Sequence, residues 1–269
     1  MLTDTQLQRI MPSLTSAKRA LVLPHLNRAM QAHGVDTLLR IAAFVAQLAH
    51  ESGEFRWMEE LWGPTAAQRR YEPPGTLAQR LGNTEVGDGR RFKGRGPIQI
   101  TGRFNYRKYG ELLGVDLVGQ PDLAAKPEHA FATAGLFWKS NGLNELADGG
   151  QFVAITKRIN GGTNGLADRE KYYAQAKTVL EAGFVPNAGV TRSARRAPAS
   201  LEPLPRGHEA IAELAPAETE PAASKRATRK APPRKAGAKR PAAKKMAAPK
   251  AVKKAVKKKP ASGSKPVQL

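Results

Sequence analysis

Along residues 37–50 the apolar positions Leu38, Ile41, Ala42, Val45, Leu48 and Ala49 recur at steps of three and four, the spacing of one helical face. Thr37 stands just before the run, where a side-chain oxygen can cap the first turn. The pattern predicts a buried amphipathic helix. The same spacing predicts helices at about 5–11, 16–32, 102–113, 127–140, 151–159 and 166–182, with Gly34, Gly114, Gly142 and Gly183 at the expected stops. Between them, Ser52-Gly53, Gly63-Pro64 and Pro73-Pro74 punctuate residues 53–100, which read as loops with short helical pieces, long enough to wall a cleft. No alternation of period two is sustained, so little sheet is expected. The fold class is mainly α, in one domain over residues 1–185.

Composition divides the chain at the same place. All five Tyr, eight Phe and three Trp lie within residues 1–185, so any core is built there. Of the 44 Lys and Arg, 21 fall in 186–269 against five acidic residues, giving net charges of +16 for the tail and +5 for the body. Without large apolar groups, and with self-repulsion, residues 186–269 are expected to be a disordered Lys/Ala/Pro-rich polycation whose partner is a polyanion. The absence of Cys excludes disulfides and thiolate metal sites. Asp4, Gln6, Gln8 and Arg9 interrupt the apolar run a signal peptide needs, and no stretch approaches the roughly 18 apolar residues of a membrane span. Synthesis in the cytoplasm without Sec export is the expectation.

A carboxyl at a helix end with apolar neighbours is a candidate general acid, because desolvation favours its protonated form. Glu51, in AQLAHESGEF, has that setting. Hydrolysis of a glycosidic bond needs a second carboxylate as nucleophile or base, and Glu54, Glu59 and Glu60 are within reach in sequence. A nine-residue step along one helix would set Glu60 opposite Glu51, so their pairing requires the chain to turn at Gly53. His50-Glu51 opens like HExxH, but Glu54 takes the last position, so no metal site is expected. Gly94 and Gly96 lack the strand and Lys-Ser/Thr context of a phosphate loop.

Three segments in order, AHESGEF at 49–55, FKGRGPIQITGRFNY at 92–106 and RINGGTNGLADREKYY at 158–173, resemble glycoside hydrolase family 19, which holds plant-type chitinases and many phage and bacterial endolysins. The resemblance implies a lysozyme-like, two-lobed helical fold, no cofactor, and an inverting mechanism with Glu51 as acid. It implies Glu60 in the loop after the helix as base, with Glu59 as competitor. Inversion asks for carboxyls roughly 6.5 to 9.5 Å apart, so that water fits between base and sugar.

GRGPIQIT resembles the family's cleft floor, with Gly94 and Gly96 allowing close approach and Pro97 stiffening the turn. Gln99 and Thr101 are expected to share one face of an extended stretch and point into the cleft. By resemblance Thr101 holds the attacking water, Asn105 and Tyr106 contact sugar, Asn160 matches the Asn of the INGG segment, and Arg169 supports the acidic centre. Trp57, Trp62 and Trp138 are open as sugar platforms or as core.

Plant-type members carry an acid soon after NGG, where Thr163 or Asn164 stands here, and their disulfides are impossible in this chain. Both departures lean toward the endolysin branch. The expectation is therefore a monomeric, peptidoglycan-degrading glycosidase of the muramidase-like kind, acting on the wall after release or specialised export. Chitinase is the alternative, and an inactive glycan-binding body the alternative of another class. For the tail, anionic envelope polymers such as lipopolysaccharide, nonspecific nucleic acid, and a solubilising linker role all stay open.

Overall fold

The computed structural model describes residues 1–183 and 203–205. Eleven α-helices occur among them: α1 Asp4–Ile10, α2 Ser16–Ala32, α3 Leu38–Ser52, α4 Ala66–Arg69, α5 Thr76–Arg80, α6 Asp88–Arg91, α7 Arg103–Leu113, α8 Pro127–Ser140, α9 Leu143–Asp148, α10 Phe152–Asn160 and α11 Leu166–Glu181. A 3₁₀ turn spans Pro121–Ala125. The described residues hold no strand, only isolated bridges pairing Glu59 with Arg95 and Arg95 with Ile100. The class is mainly α, and the seven helices expected from spacing are present within two residues at each end.

Threonine starts several of them for a local reason. Thr3, Thr15 and Thr37 each accept a hydrogen bond from the backbone three residues on, satisfying a donor the helix leaves open. α3 is the central element. Ten of its fifteen residues are buried, among them Phe44 and Val45, and its main partner is α11. Trp138 of α8 meets Phe44 edge-on at 5.1 Å and donates its indole N–H to Asn144 Oδ1 at 2.8 Å, so this tryptophan is core. Helices α2 and α8 pack together on the other side.

Leu204 is 2% exposed and belongs to the same core, and its carbonyl accepts from Asn141 Nδ2 at 3.0 Å. Otherwise the expected tail, 186–269, and residues 184–185 lie outside the described residues. No described helix is long and apolar enough to cross a membrane.

Candidate active site

The chain turns sharply at the end of α3. Gly53, Glu54 and Phe55 are all left-handed, with φ of 55°, 57° and 60°. Only the first is glycine, so the other two hold a strained backbone that the surroundings must fix. Phe55 is fully buried and meets Phe131 edge-on at 5.0 Å, while its N–H donates to Ser52 Oγ. Glu54 accepts from the Ser13 N–H at 2.7 Å and the Tyr172 hydroxyl at 2.9 Å. Its carboxylate ties α3 to two distant segments, a structural role. Burial, and then that carboxylate, push the Tyr172 phenol up.

Beyond the turn, residues 58–60 run beside 94–96. Glu60 N–H donates to the Gly94 carbonyl at 2.8 Å, and Gly96 N–H donates to Met58 O at 2.9 Å. Neighbouring side chains on such a ribbon point to opposite faces. Glu60 therefore parts from Glu59. Glu59 meets Arg95 Nε at 3.0 Å and Lys93 Nζ at 3.3 Å, whereas Glu60 faces neutral donors. These are Gln68 Nε2 at 2.9 Å and the Tyr71 hydroxyl at 3.4 Å on Oε1, and the Gly94 N–H at 3.0 Å on Oε2. An ionised carboxylate has about four acceptor sites, so three such bonds fix its orientation and leave about one for water. Burial, followed by the nearby Glu60 charge, pushes the Tyr71 phenol up, which keeps it a donor.

Glu51, one turn before the bend, has a side chain only 10% exposed. Arg169 of α11 reaches it through Nη2, 2.7 Å from Oε1. The same guanidinium donates through Nη1 to Gln47 Oε1 at 2.5 Å, and Gln47 Nε2 donates to Thr156 Oγ1 at 2.8 Å. Arg169 is thus fixed from both ends in a 2% exposed position. His50 points elsewhere, its Nδ1 2.7 Å from Asp168 Oδ2, and a Cβ on Gly165 would fall 2.3 Å from its ring. His50 is a contact between α3 and α11.

The floor departs from the expected extended stretch. Gln99 has φ of 53° and closes a tight turn between the paired residues Arg95 and Ile100. Its amide nitrogen binds Gly96 O at 2.7 Å and Trp57 O at 3.2 Å, so it braces the floor against the post-helix loop. Thr101 is 3% exposed and donates its hydroxyl to Gln99 O at 3.0 Å. Gly94 lets both side chains close in, since a Cβ would meet Gln99 Oε1 at 2.6 Å and Glu60 Oε2 at 3.4 Å.

Two expected sugar contacts are corrected. Tyr106 is fully buried; its hydroxyl donates to Lys93 O at 2.6 Å and accepts from Arg95 Nη1 at 2.9 Å. Asn105 is 2% exposed, with Nδ2 donating to Thr101 O at 2.7 Å and Oδ1 buried without a partner. Both face inward because α7 begins at Arg103, which places them on its core side. Asn160, the last residue of α10, is 8% exposed and its Nδ2 donates to Asn164 O at 3.3 Å. Asn164 O also accepts from Arg169 Nε, so the loop between α10 and α11 supports Arg169.

Of the tryptophans, Trp57 is 50% exposed and Trp62 packs on Tyr71 at 6.1 Å. Sequence reasoning missed Gln47, Gln68 and Tyr71. Gln68 carried a signal: it closes a capping box with Thr65, and its free amide N–H₂ then reaches Glu60.

The family 19 glycoside hydrolase model, described as chitinase class I, matches residues 29–191. A family 19 domain-containing protein of Haemophilus influenzae is 32% identical over 196 residues, covering 64% of this chain and 94% of its own. An endochitinase of Arabidopsis thaliana is 42% identical over 123 residues, 45% of this chain and 39% of that enzyme. A second Arabidopsis endochitinase is matched over 50% of its length, so the chain spans half or less of these plant relatives.

Among solved structures, a bacterial family 19 chitinase superposes with a TM-score of 0.52 at 23% identity, over 70% of this chain and 97% of that one. A class IV chitinase from Zea mays gives 0.51 at 25% identity, over 67% and 92%. The match of the family model to more than half of the chain, in the residues that build this site, shows that the chain belongs to glycoside hydrolase family 19.

Proposed function

We propose that the chain hydrolyses β-1,4 bonds between N-acetylated amino sugars in bacterial peptidoglycan, with inversion. The observation that carries this is the contrast between two carboxylates: Glu51, nearly enclosed and held at one oxygen by Arg169, and Glu60, held open by neutral donors. Arg169 donates to Oε1 of Glu51 and fixes the carboxyl in place. Glu51 gives its proton to the glycosidic oxygen as the bond to the anomeric carbon breaks. A water binds the remaining acceptor site of Glu60, loses its proton there and attacks the anomeric carbon from the opposite face. The Thr101 hydroxyl, its proton committed to Gln99 O, is an acceptor that helps aim this water. Solvent returns both carboxyls to their starting states.

The wall polymer is favoured over chitin by charge. The chain carries a formal +21, with +16 of it in residues 186–269, which suits an anionic envelope and brings nothing to a neutral polysaccharide. Chitin is the second reading, favoured by the names of the Arabidopsis relatives. The deciding experiment follows turbidity of purified peptidoglycan stripped of outer membrane, with mass spectrometry of the fragments, for wild type and Glu51→Gln. Clearing by wild type alone, with new saccharide ends, supports the proposal. No clearing, with release of soluble sugars from chitin, transfers the site to the second reading.

A further inference from the structure

The face of the 58–60 ribbon opposite Glu60 borders a cavity of about 430 Å³ that the mechanism does not use. Its charged lining is Arg90, Arg91, Lys93 and Arg95 against Glu59 and Asp122. Arg95 is spent on structure: it donates to Glu59, Asp122, Tyr106 and the Arg91 carbonyl, and is 4% exposed. Lys93 sits 3.3 Å from Glu59. These two cations balance the two anions, which leaves Arg90 and Arg91 as surplus charge.

Both are exposed at the end of α6. Arg91 gives one bond, from Nη2 to Val118 O, and rests over the Phe92 ring, so its guanidinium is braced with N–H groups to spare. Arg90 makes no ion pair among the described residues. A braced guanidinium beside a free one, over a cavity, is a carboxylate-binding arrangement.

We propose that this cavity is a subsite for the carboxylates of the stem peptides on the wall glycan, and that it makes the enzyme select peptidoglycan over neutral chitin. The inference rests on the peptidoglycan reading. Reach allows it: paired strands lie about 4.8 Å apart, and a peptide spans about 3.3 Å per residue, so two or three stem residues cross the ribbon from a sugar at Glu60. Chitin has no carboxylate to offer.

The test uses the full chain, wild type against Arg90→Gln/Arg91→Gln, on soluble peptidoglycan strands and on the same strands with their carboxyls converted to methylamides. Both proteins keep residues 186–269, so that contribution cancels. Losing two exposed charged contacts is expected to raise KM about tenfold on the carboxylate strands, with kcat within about twofold, and to shrink the preference for them over the amidated strands. Arg90→Lys/Arg91→Lys should recover at least half of that preference. An unchanged KM, or an equal rise on both forms, overturns the subsite while leaving the peptidoglycan reading intact. If wild type cuts neither form, that reading fails and calorimetric binding decides the subsite: a tenfold weaker Kd of the Gln variant for carboxylate strands alone upholds it, and equal binding ends it.

Discussion

Arg169 bonds Glu51 and Gln47 at once, at 2.7 and 2.5 Å, from one guanidinium plane on α11. A lysine ammonium has the charge but not the fork, so it cannot hold both oxygens. Arg169→Lys is expected to lower kcat by about 10- to 100-fold through misplacement of the acid, with KM within about twofold. It should also cost about 1–3 kcal/mol of stability, because the Gln47 oxygen is left buried without its donor. Steady-state kinetics and denaturant unfolding of one preparation read both effects. Unchanged kcat with lost stability would reduce Arg169 to a packing residue.

The opposite faces taken by Glu59 and Glu60 give separate expectations. Glu60→Gln should lower kcat about 10²- to 10⁴-fold, the usual worth of a general base. Glu59→Gln should leave kcat within about threefold and shift stability by less than about 1 kcal/mol, since its side chain is 44% exposed to screening solvent. A reversed ranking in wall-clearing assays would make Glu59 the base.

Two glycines separate function from stability. In Gly94→Ala the new methyl meets the far end of Gln99 and lies close to Glu60, so side chains can yield. About a tenfold loss of kcat with a Tm change of a few degrees is expected. In Gly102→Ala, φ is 92° and the methyl falls 2.5 Å from Leu81 O, a backbone atom that cannot swing aside. That variant should lose about 2 kcal/mol or more. Its folded fraction should keep its activity, as melting curves paired with active-site titration would show.

His33 provides a pH signature. Burial, then Lys139, lowers its pKa from 6.5 to about 4, and a Cβ on Gly135 would sit 2.3 Å from its ring. The unfolded chain takes up this proton first, so the contribution is full above pH 6.5 and falls as pH drops toward 4. After discounting for partial exposure, about 2 kcal/mol should disappear across that window. Calorimetry at pH 7 and pH 5 on wild type and His33→Gln should show a smaller drop for the variant. Equal drops would place the acid sensitivity elsewhere.

The long helices were legible because their apolar residues recur at steps of three and four, and Thr37 marked the start of α3. Helix α3 follows from Leu38, Ile41, Val45 and Leu48 after the Thr37 cap, and its end from Gly53. Helix α9 was not legible, because six residues are too few to show a period, and its order comes from Asn144 reaching the Trp138 indole. In the site, Glu51 was a candidate from its helix-end setting, the resemblance singled out Glu60 and added Arg169, and the surroundings of all three came only with the fold. Gln47, Gln68 and Tyr71 look ordinary in sequence and gain meaning only when folding sets Gln68 and Tyr71 on Glu60, and Gln47 on the guanidinium that holds Glu51. Asn105 and Tyr106 were misread because a motif marks which residues recur, while the register of α7 decides which way they face.

Leu204 gives a warning for anyone dissecting this chain. Shortening it to residue 185 would strip most of the positive charge and also pull one leucine out of a closed core, at a cost of about 2–3 kcal/mol, and would remove one of the acceptors of Asn141 Nδ2. Loss of activity in such a variant would confuse a weakened catalytic body with the missing charge. A stop placed after Pro205 keeps the leucine and removes most of the charge, so it asks one question at a time.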